Sequence, residues 1–363
     1  MNKVKLKDVC EAMASNIAQK DISVGNGDYP IYGASGFIGN VDFYKQEKPY
    51  IGIVKDGAGV GRAYLLPEKS SVIGTMQYIL PKDNIDIKYL YYAIQYMHLE
   101  KYYSGATIPH IYFRDYQYEP ILLPGKKEQE QKTNVLEKID KLVFKHKKTL
   151  RIIDTLVKSR FVEMFGEILD NGIPLAQLAE ITGGLTKNSK RNTFPNQMPY
   201  LRVANVLFNQ LDLSEVLTIG VKDNEIEKTM LCKGDLLFVE GNGSVEQIGR
   251  VAVWDGSIEP CLHQNHLIKA RFNSRKINPV YALFYFMSQK GRAQIVRRAV
   301  STSGLHTLSV GKIESLELPV PPIKKQNQFA DFVALTDKSK HAVQQSIETL
   351  QTLKAKLMQD YFG

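Results

Sequence analysis

Residues 126–166 read KKEQEQKTNVLEKIDKLVFKHKKTLRIIDTLVKSRFVEMFG, and residues 324–363 read KKQNQFADFVALTDKSKHAVQQSIETLQTLKAKLMQDYFG. Each begins just after a proline-bearing apolar run, Leu122-Leu123-Pro124 in one case and Leu318 to Pro322 in the other. Each carries an Ile-acidic-Thr-Leu tetrapeptide (Ile153 to Leu156, Ile347 to Leu350), and each closes on Phe-Gly with no internal Gly or Pro before it. A helix of about 40 residues is a rod of roughly 60 Å. The second copy steps by fours and threes through Phe329, Val333, Thr336, Lys340, Val343, Ile347, Leu350, Lys354, Leu357 and Tyr361. That is a coiled-coil seam, weakened at Thr336, Lys340 and Lys354. The first copy runs Val135, Ile139, Leu142, His146, then slips to Leu150, Ile153, Val157, Phe161 and Met164. Two such rods most simply pack on each other. The plainer alternative is two surface helices lying each on its own domain, but a narrow seam suits a helix partner better than a sheet.

Around these rods lies ordinary globular material, 44% hydrophobic and 23% charged in 363 residues, enough for two or three domains. No apolar run approaches the ~20 residues of a membrane span. The opening MNKVKLKDVC has no apolar signal-peptide core, so a cytoplasmic protein is expected. Three scattered cysteines (Cys10, Cys232, Cys261) form no disulfide framework. The net charge of +9 permits a polyanionic partner. Residues 1–125 are neutral, with 13 basic and 13 acidic groups, whereas 126–166 carry 11 basic against 6 acidic. A solvated helix face explains such a run more often than nucleic acid does.

From the N-terminus the chain reads as short strands. Tyr50–Val54 pairs through a Gly-rich turn with Arg62 to Leu66, Ser71 to Leu80 is extended, and Asp86 to Met97 is an amphipathic helix with Tyr89, Tyr92, Ala93 and Tyr96 at helical spacing. The segment Ser104 to His110 is a Gly/Ser loop. After the turn Asp170-Asn171-Gly172 the chain starts again. Leu6 and Val9 match Leu175 and Leu178, Pro30 matches Pro199, Gly61-Arg62 matches Gly249-Arg250, Tyr89 matches Tyr281, and Lys126-Lys127 matches Lys324-Lys325. The offset grows through small insertions in loops, as a tandem duplication diverges. The order is therefore globular domain, rod, globular domain, rod. Such a duplicated chain suits a partner with two similar half-sites, and duplex DNA is the obvious one.

This arrangement resembles the specificity subunits of type I restriction–modification systems, over the whole chain and by order and repetition more than by one signature. The matching pieces are Pro174-Leu175, Thr182-Gly183-Gly184-Leu185-Thr186, Met198-Pro199-Tyr200-Leu201-Arg202, Gly234-Asp235-Leu236-Leu237 and Leu318 to Pro322. The first half departs, with Ala12 to Asn16 in place of the Gly-Gly loop and Lys48-Pro49-Tyr50-Ile51 in place of Gly-Asp-Leu-Leu. The resemblance implies an α+β fold with two α/β target recognition domains (1–125 and 167–322), related by pseudo-two-fold symmetry. They are separated by two long helices (126–166 and 323–363) that form an antiparallel coiled coil. It implies a non-catalytic subunit of a DNA methyltransferase/endonuclease complex in which each domain reads half of a bipartite site in double-stranded DNA. The helices would set the spacing and dock two methyltransferase subunits, with restriction/translocase subunits joining through the complex.

Other motifs compete with that reading. Asp56-Gly57-Ala58-Gly59-Val60-Gly61 after an apolar run resembles a loop for S-adenosylmethionine or a dinucleotide, which would make the chain a stand-alone DNA methyltransferase using Gly57 to Gly61. Such a loop must open a helix, and here Arg62 to Leu66 runs straight to Pro67. A Gly-rich β-hairpin fits this loop and its counterpart Gly241 to Gly249, and no cofactor is expected. Asn278-Pro279-Val280-Tyr281 resembles the Asn-Pro-Pro-Tyr motif of adenine methyltransferases but lacks the second proline, and Pro at a first helical position is the plainer account. Cys261, His263 and His266 have zinc-like spacing without a fourth ligand nearby; no metal is expected, and the run Leu262 to His266 reads as a strand end or loop at a DNA-facing edge. No P-loop and no Asp…Glu-x-Lys nuclease cluster is present.

Arg bridges guanine O6/N7, Asn and Gln bridge adenine N6/N7, and Lys and backbone amides hold phosphates. On that chemistry the DNA contacts in the second domain are expected from Lys187, Lys190, Arg191, Arg202, Asn205, Asn242, Ser244, Arg250, Gln264, Asn265 and His266. In the first domain they are expected from Tyr32, Ser35, Lys55, Asp56, Arg62, Gln77, Thr107 and His110. Exposed loop residues without contact are the alternative for each, and His110 and His306 sit in equivalent segments where they could instead pack against the rods.

Overall fold

The computed structural model describes residues 2–22, 25, 27–105, 108–166, 172–302 and 304–363. Thr107, and Asp170 and Asn171 of the expected turn, lie outside the described residues. The fold is α+β, with two compact units: residues 1–149 with 343–363, and residues 150–342. Each long helix therefore contributes to both.

Within the first unit, a four-stranded antiparallel sheet runs in the order Cys10–Ala14, Met76–Pro81, Tyr50–Val54, Ala63–Leu66. A three-stranded sheet runs Gly36–Val41, Tyr29–Gly33, Ser71–Val72, its last pair parallel. Asn2–Lys5 pairs with Pro120–Leu123 to close the unit. The second unit repeats these orders. Its four strands are Ala179–Gly183, Leu267–Phe272, Leu236–Val239 and Val251–Val253, and its three are Leu217–Gly220, Gln197–Leu201 and Leu262–His263, again with a parallel last pair. Ile173–Pro174 closes it on Glu317–Leu318.

The central strands are apolar throughout because both of their faces are covered. Alternation sends Ile51 and Ile53 into a core with Tyr89, Ile94, Leu136 and Phe362, and Tyr50 and Val54 into one with Val72, Met76 and Tyr78. In the second unit Leu236 and Phe238 join Phe161, Phe165 and Phe329, while Leu237 and Val239 join Trp254, Cys261 and Leu267. The extended stretch Ser71 to Leu80 is two strands, Ser71–Val72 and Met76–Pro81, one in each sheet.

The long helices are Lys126–Phe165 and Ile323–Phe362. They pack antiparallel on each other: in the first unit Lys354 Nζ lies 2.6 Å from Asp140 and Ser346 Oγ 3.1 Å from His146 Nε2, and in the second Lys340 Nζ lies 2.7 Å from Asp154. All ten residues of the expected second-helix seam are buried or half-buried. The first-helix seam needs correction. Val135 and Leu142 are exposed (39% and 43%), and Leu136 and Val143 face inward instead. With that change the seam is Leu136, Ile139, Val143, His146, Leu150, Ile153, Val157, Phe161 and Met164, and the slip falls between Val157 and Phe161, where Phe161 meets Phe329 at 5.3 Å. The tetrapeptide match is likewise out of register: Leu156 is 50% exposed, whereas Leu350 faces the seam.

A shared joint binds each rod to its domain. Gln129 and Gln326 are completely buried, each at the fourth position of its helix. Gln129 Oε1 accepts from Asp86 N (2.7 Å) and its Nε2 donates to Pro124 O (2.8 Å) and Asn84 O (3.4 Å). Gln326 Oε1 accepts from Asn278 N (2.9 Å) and its Nε2 donates to Pro321 O (2.8 Å) and Lys276 O (3.0 Å). Asp86 and Asn278 are the N-caps of the domain helices Ile87–Met97 and Pro279–Met287. Each glutamine thus satisfies a cap residue's own amide, and Asn278-Pro279 is a helix start as expected. No helix among the described residues is long and apolar enough to cross a membrane.

Candidate nucleic-acid interface

In the first unit the Gly-rich loop joins two antiparallel strands and returns directly to the sheet: Gly61 N donates to Val54 O and Val54 N donates to Arg62 O, both at 2.9 Å. Its glycines are required, since Gly57, Gly59 and Gly61 have φ of 85°, 97° and 85°. A Cβ on Gly61 would also lie 2.6 Å from Glu100 N. The loop offers no helix N-terminus to a cofactor's phosphates or carboxylate.

Around this loop the expected contact residues fall into two groups. Asp56 bridges Lys55 Nζ (3.2 Å) and His110 Nδ1 (2.7 Å), and Gly57 N and Ile111 N bind the loop to the Ser104–Ile111 segment through Pro109 O and Lys55 O. His110 is therefore held at the loop by Asp56. Arg62 is exposed, its guanidinium beside Gly59 and 3.4 Å from the Tyr64 hydroxyl, which donates to Ala34 O beside exposed Ser35. Tyr32 packs edge-on to Phe37, which is 62% exposed. Gln77 is buried and donates to the Tyr116 hydroxyl.

In the second unit Leu185 N donates to His263 O and Asn265 N to Leu185 O, so the Thr182–Thr186 loop lies on Gln264 and Asn265. Gly184 permits this, because a Cβ there would sit 2.0 Å from His263 O. Lys187 and Lys190 follow, both exposed. Asn242 Oδ1 accepts from Ser244 N (2.9 Å) at the start of the longer Gly-rich loop, and Gly241–Asn242 pairs with Leu305–Thr307. His266 Nδ1 lies 2.8 Å from Glu240 Oε2, a partner the sequence did not single out.

Like Gln77 in the first unit, three of the expected side chains of the second unit are turned inward and occupied within the protein. Arg191, 8% exposed, makes a two-point contact with Glu225 (2.8 and 3.0 Å) and donates to Thr186 O and Gly220 O. That guanidinium holds the Glu225 carboxyl down at about 2. Asn205, 3% exposed, accepts from Arg202 N and donates to Asp212 O and Glu215 O. Arg250 donates to Val206 O (2.6 Å) and Val203 O (2.9 Å). Arg202 is half-buried and pairs with Glu215 at 2.6 Å.

The zinc-like triplet diverges. Burial pushes the Cys261 thiol up to about 11, away from the thiolate a metal requires. His263 is fully buried, not at an edge, its Nδ1 2.8 Å from Thr229 O, and burial lowers it to about 4. Among the described residues no group of three or more His, Cys, Asp or Glu is placed to share a metal ion.

The family described as the type I restriction modification DNA specificity domain matches residues 1–153 and again 172–352. The putative type I restriction enzyme MjaX specificity subunit of Methanocaldococcus jannaschii is 30% identical over 189 residues, 51% of this chain and 43% of that protein. The type I restriction enzyme EcoKI specificity subunit of Escherichia coli K12 is 30% identical over 157 residues, 42% of this chain and 32% of that protein. The chain thus spans less than half of either relative. The MjaVIII specificity subunit of M. jannaschii is 21% identical over 326 residues, 84% of this chain and 76% of the relative. Among solved structures, the type I restriction–modification S subunit from M. genitalium superposes with a TM-score of 0.64 at 18% identity, covering 100% of this chain and 96% of that one. A second, from a study of assembly and conformational transition in a type I system, gives 0.56 at 13%, covering 99% and 97%. At these identities the likeness is one of fold. With both halves matched, the chain belongs to the type I restriction modification DNA specificity domain family.

Proposed function

We propose that this chain is the non-catalytic, sequence-specific DNA-recognition subunit of a type I restriction–modification complex. The two target recognition domains, 1–125 and 167–322, each read one half of a bipartite site in double-stranded DNA. The carrying observation is that one scaffold occurs twice with different polar side chains on its loops. A duplicated scaffold with diverged loops is what two unlike half-sites demand. The first domain reads with Arg62, Tyr32, Ser35 and the Lys55–Asp56–His110 group. The second reads with Lys187, Lys190, Gln264, Asn265, Asn242, Ser244 and His266.

The helices 126–166 and 323–363 set the gap between half-sites and dock two methyltransferase subunits, through which restriction/translocase subunits join. The first long helix supports this with exposed apolar residues, Val135 and Leu142 in the first unit and Ile152 and Leu156 in the second. Helix-packing partners cover such residues.

The test is co-expression with the cognate methyltransferase subunit and mapping of methylated adenines across the host DNA. A split motif with an unspecified gap is expected. A continuous motif would overturn the two-domain reading, and methylation by this chain alone would overturn the non-catalytic one.

A further inference from the structure

The Gly-rich loop of the second unit is longer than its counterpart. Seven residues, 55–61, separate Val54 from Arg62, and ten, 240–249, separate Val239 from Arg250, although both loops are anchored by the same two backbone bonds. The short loop closes directly on the backbone at Glu100. The long one folds into turns at Ser244, where Gln247 N and Ile248 N both donate to Ser244 O, and this leaves carbonyls of its returning arm facing the helix Gln289–Arg298.

Arg292 on that helix takes three of them. Its Nη1 donates to Ile248 O at 2.7 Å and Gly249 O at 3.3 Å, and its Nη2 donates to Glu246 O at 3.2 Å. The guanidinium lies over Phe208, 5.2 Å from the ring centroid, so it is clamped between an aromatic face and the loop. One turn on, Ile295 fills the space beside Gly249, where a Cβ would meet it at 2.4 Å. A planar fork with fixed donors satisfies several carbonyls at once, which a lysine ammonium on a flexible stem does less well.

We infer that Arg292 is the positioning residue of the second reading loop: it touches no base, and it fixes the conformation in which Asn242 and Ser244 meet DNA. The inference rests on the proposal that this loop contacts DNA. The first unit's loop is held differently, by backbone packing at Glu100 and by the contacts of Asp56 and Gly57 with His110 and Pro109. Selectivity at the second half-site is therefore sensitive to a side chain on the helix behind it.

The experiment maps methylation by the complex with its methyltransferase subunit, for the wild type and for Arg292→Ala, Arg292→Lys and Arg297→Ala. Gln264→Ala, outside the loop, identifies which half of the motif belongs to the second unit. Arg292→Ala is expected to raise methylation of sites mismatched in that half about tenfold relative to the cognate site, the scale of one well-placed base contact, with the other half as selective as before. Arg292→Lys restores part of the selectivity. Arg297→Ala, which removes an exposed charge from the same helix, changes nothing. Unchanged selectivity in Arg292→Ala, equal relaxation of both halves, or the same relaxation in Arg297→Ala overturns the inference. Should Arg292→Ala fail to fold, Arg292→Lys decides by the same comparison of halves. A wild-type complex that yields no split motif sinks the DNA-reading proposal itself, before any variant is considered.

Discussion

Gly61 and Gly249 occupy the same place in their units, each the last residue before an arginine that re-enters the sheet. One meets the backbone of Glu100, the other the side chain of Ile295. The following arginines also part company, Arg62 exposed and Arg250 bound to two carbonyls. By contrast Gln129 and Gln326 keep the same bonds to the same three kinds of partner. The duplication has thus been held fixed where the rods join the domains and released at the loops. Stability is predicted to respond alike in both units at the joint, and differently at the sheet's loop end.

The largest effect is expected from the aromatic core of the second unit. Phe329 is fully buried, its ring centroid 5.3 Å from Phe161, 5.7 Å from Phe165 and 5.1 Å from Phe284. Phe329→Ala should cost about 4 kcal/mol through lost transfer energy and the cavity left behind. Trp254, the single tryptophan, is buried in the same unit and reports its unfolding by fluorescence. Phe362→Ala, in the first unit's core, should leave the Trp254 transition in place. An equal shift from both variants would mean that the units do not unfold separately, and the comparison would fail at its root.

Next comes the joint. Gln129→Leu and Gln326→Leu each leave one amide and two carbonyls without their buried partner. Unsatisfied buried groups cost about 1–3 kcal/mol apiece, less where water reaches them, so roughly 3 kcal/mol is expected in each unit. Faster hydrogen exchange at the Asp86 and Asn278 amides would accompany it. A cost in one unit only would show that the joint is not equivalent in the two copies.

The glutamines also mark where the sequence stopped being legible. Helix ends, the apolar central strands and the packing of the rods on each other follow from periodicity and from Gly and Pro placement, whereas their antiparallel sense comes from the family resemblance. A buried polar residue carries no such signal, and Gln129 and Gln326 sit among other polar residues in a helix's first turns. The first-helix seam lies one residue from the expected Val135 and Leu142 because that helix has apolar residues on two faces: Val135 and Leu142 belong to the open one, Leu136 and Val143 to the packed one. At the loops, residue type indicates what a side chain is able to bond, not what it has already bonded. Arg191, Asn205 and Arg250 were reasonable DNA contacts by chemistry, and each has its donors engaged by carbonyls or a carboxylate of its own unit. Gly-Gly at 183–184 was informative because close backbone approach leaves a mark that side-chain chemistry does not.

A difference of about 2–3 kcal/mol between the units is expected on acidification. His263 is buried in the second unit with its Nδ1 donating to Thr229 O and with Lys269 and Asp235 as its charged neighbours. Its folded value of about 4 lies below the ordinary 6.5. Above 6.5 neither state is protonated and nothing is lost. As pH falls from 6.5 towards 4 the unfolded chain takes up the proton first, so the stability of the second unit declines through that window and levels off below it. Denaturant titrations of Trp254 fluorescence at pH 7, 5.5 and 4 measure the slope. His263→Gln should flatten it, and a slope unchanged by that substitution would assign the acid sensitivity elsewhere.

The smallest effect separates the two arginines that follow the loops. Arg62 is exposed and its guanidinium's hydrogen bond to Tyr64 is long at 3.4 Å, so Arg62→Ala should leave stability within about 0.5 kcal/mol of wild type. If it reads a base, affinity for the cognate site falls about tenfold and selectivity relaxes in the first half of the motif only. If it holds a phosphate, affinity falls across all sequences and the salt dependence of binding drops by about one unit of slope. Arg250→Ala should do the reverse. Its bonds to Val203 O and Val206 O fasten the end of the second loop to the neighbouring hairpin, so stability falls by about 2 kcal/mol while the salt slope stays put, because that guanidinium is turned inward and neutralises no phosphate. Equal salt slopes for Arg62→Ala and wild type, with selectivity also intact, would remove Arg62 from the interface. The first unit's contacts would then rest on the Lys55–Asp56–His110 group, where Asp56 already engages both Lys55 and His110.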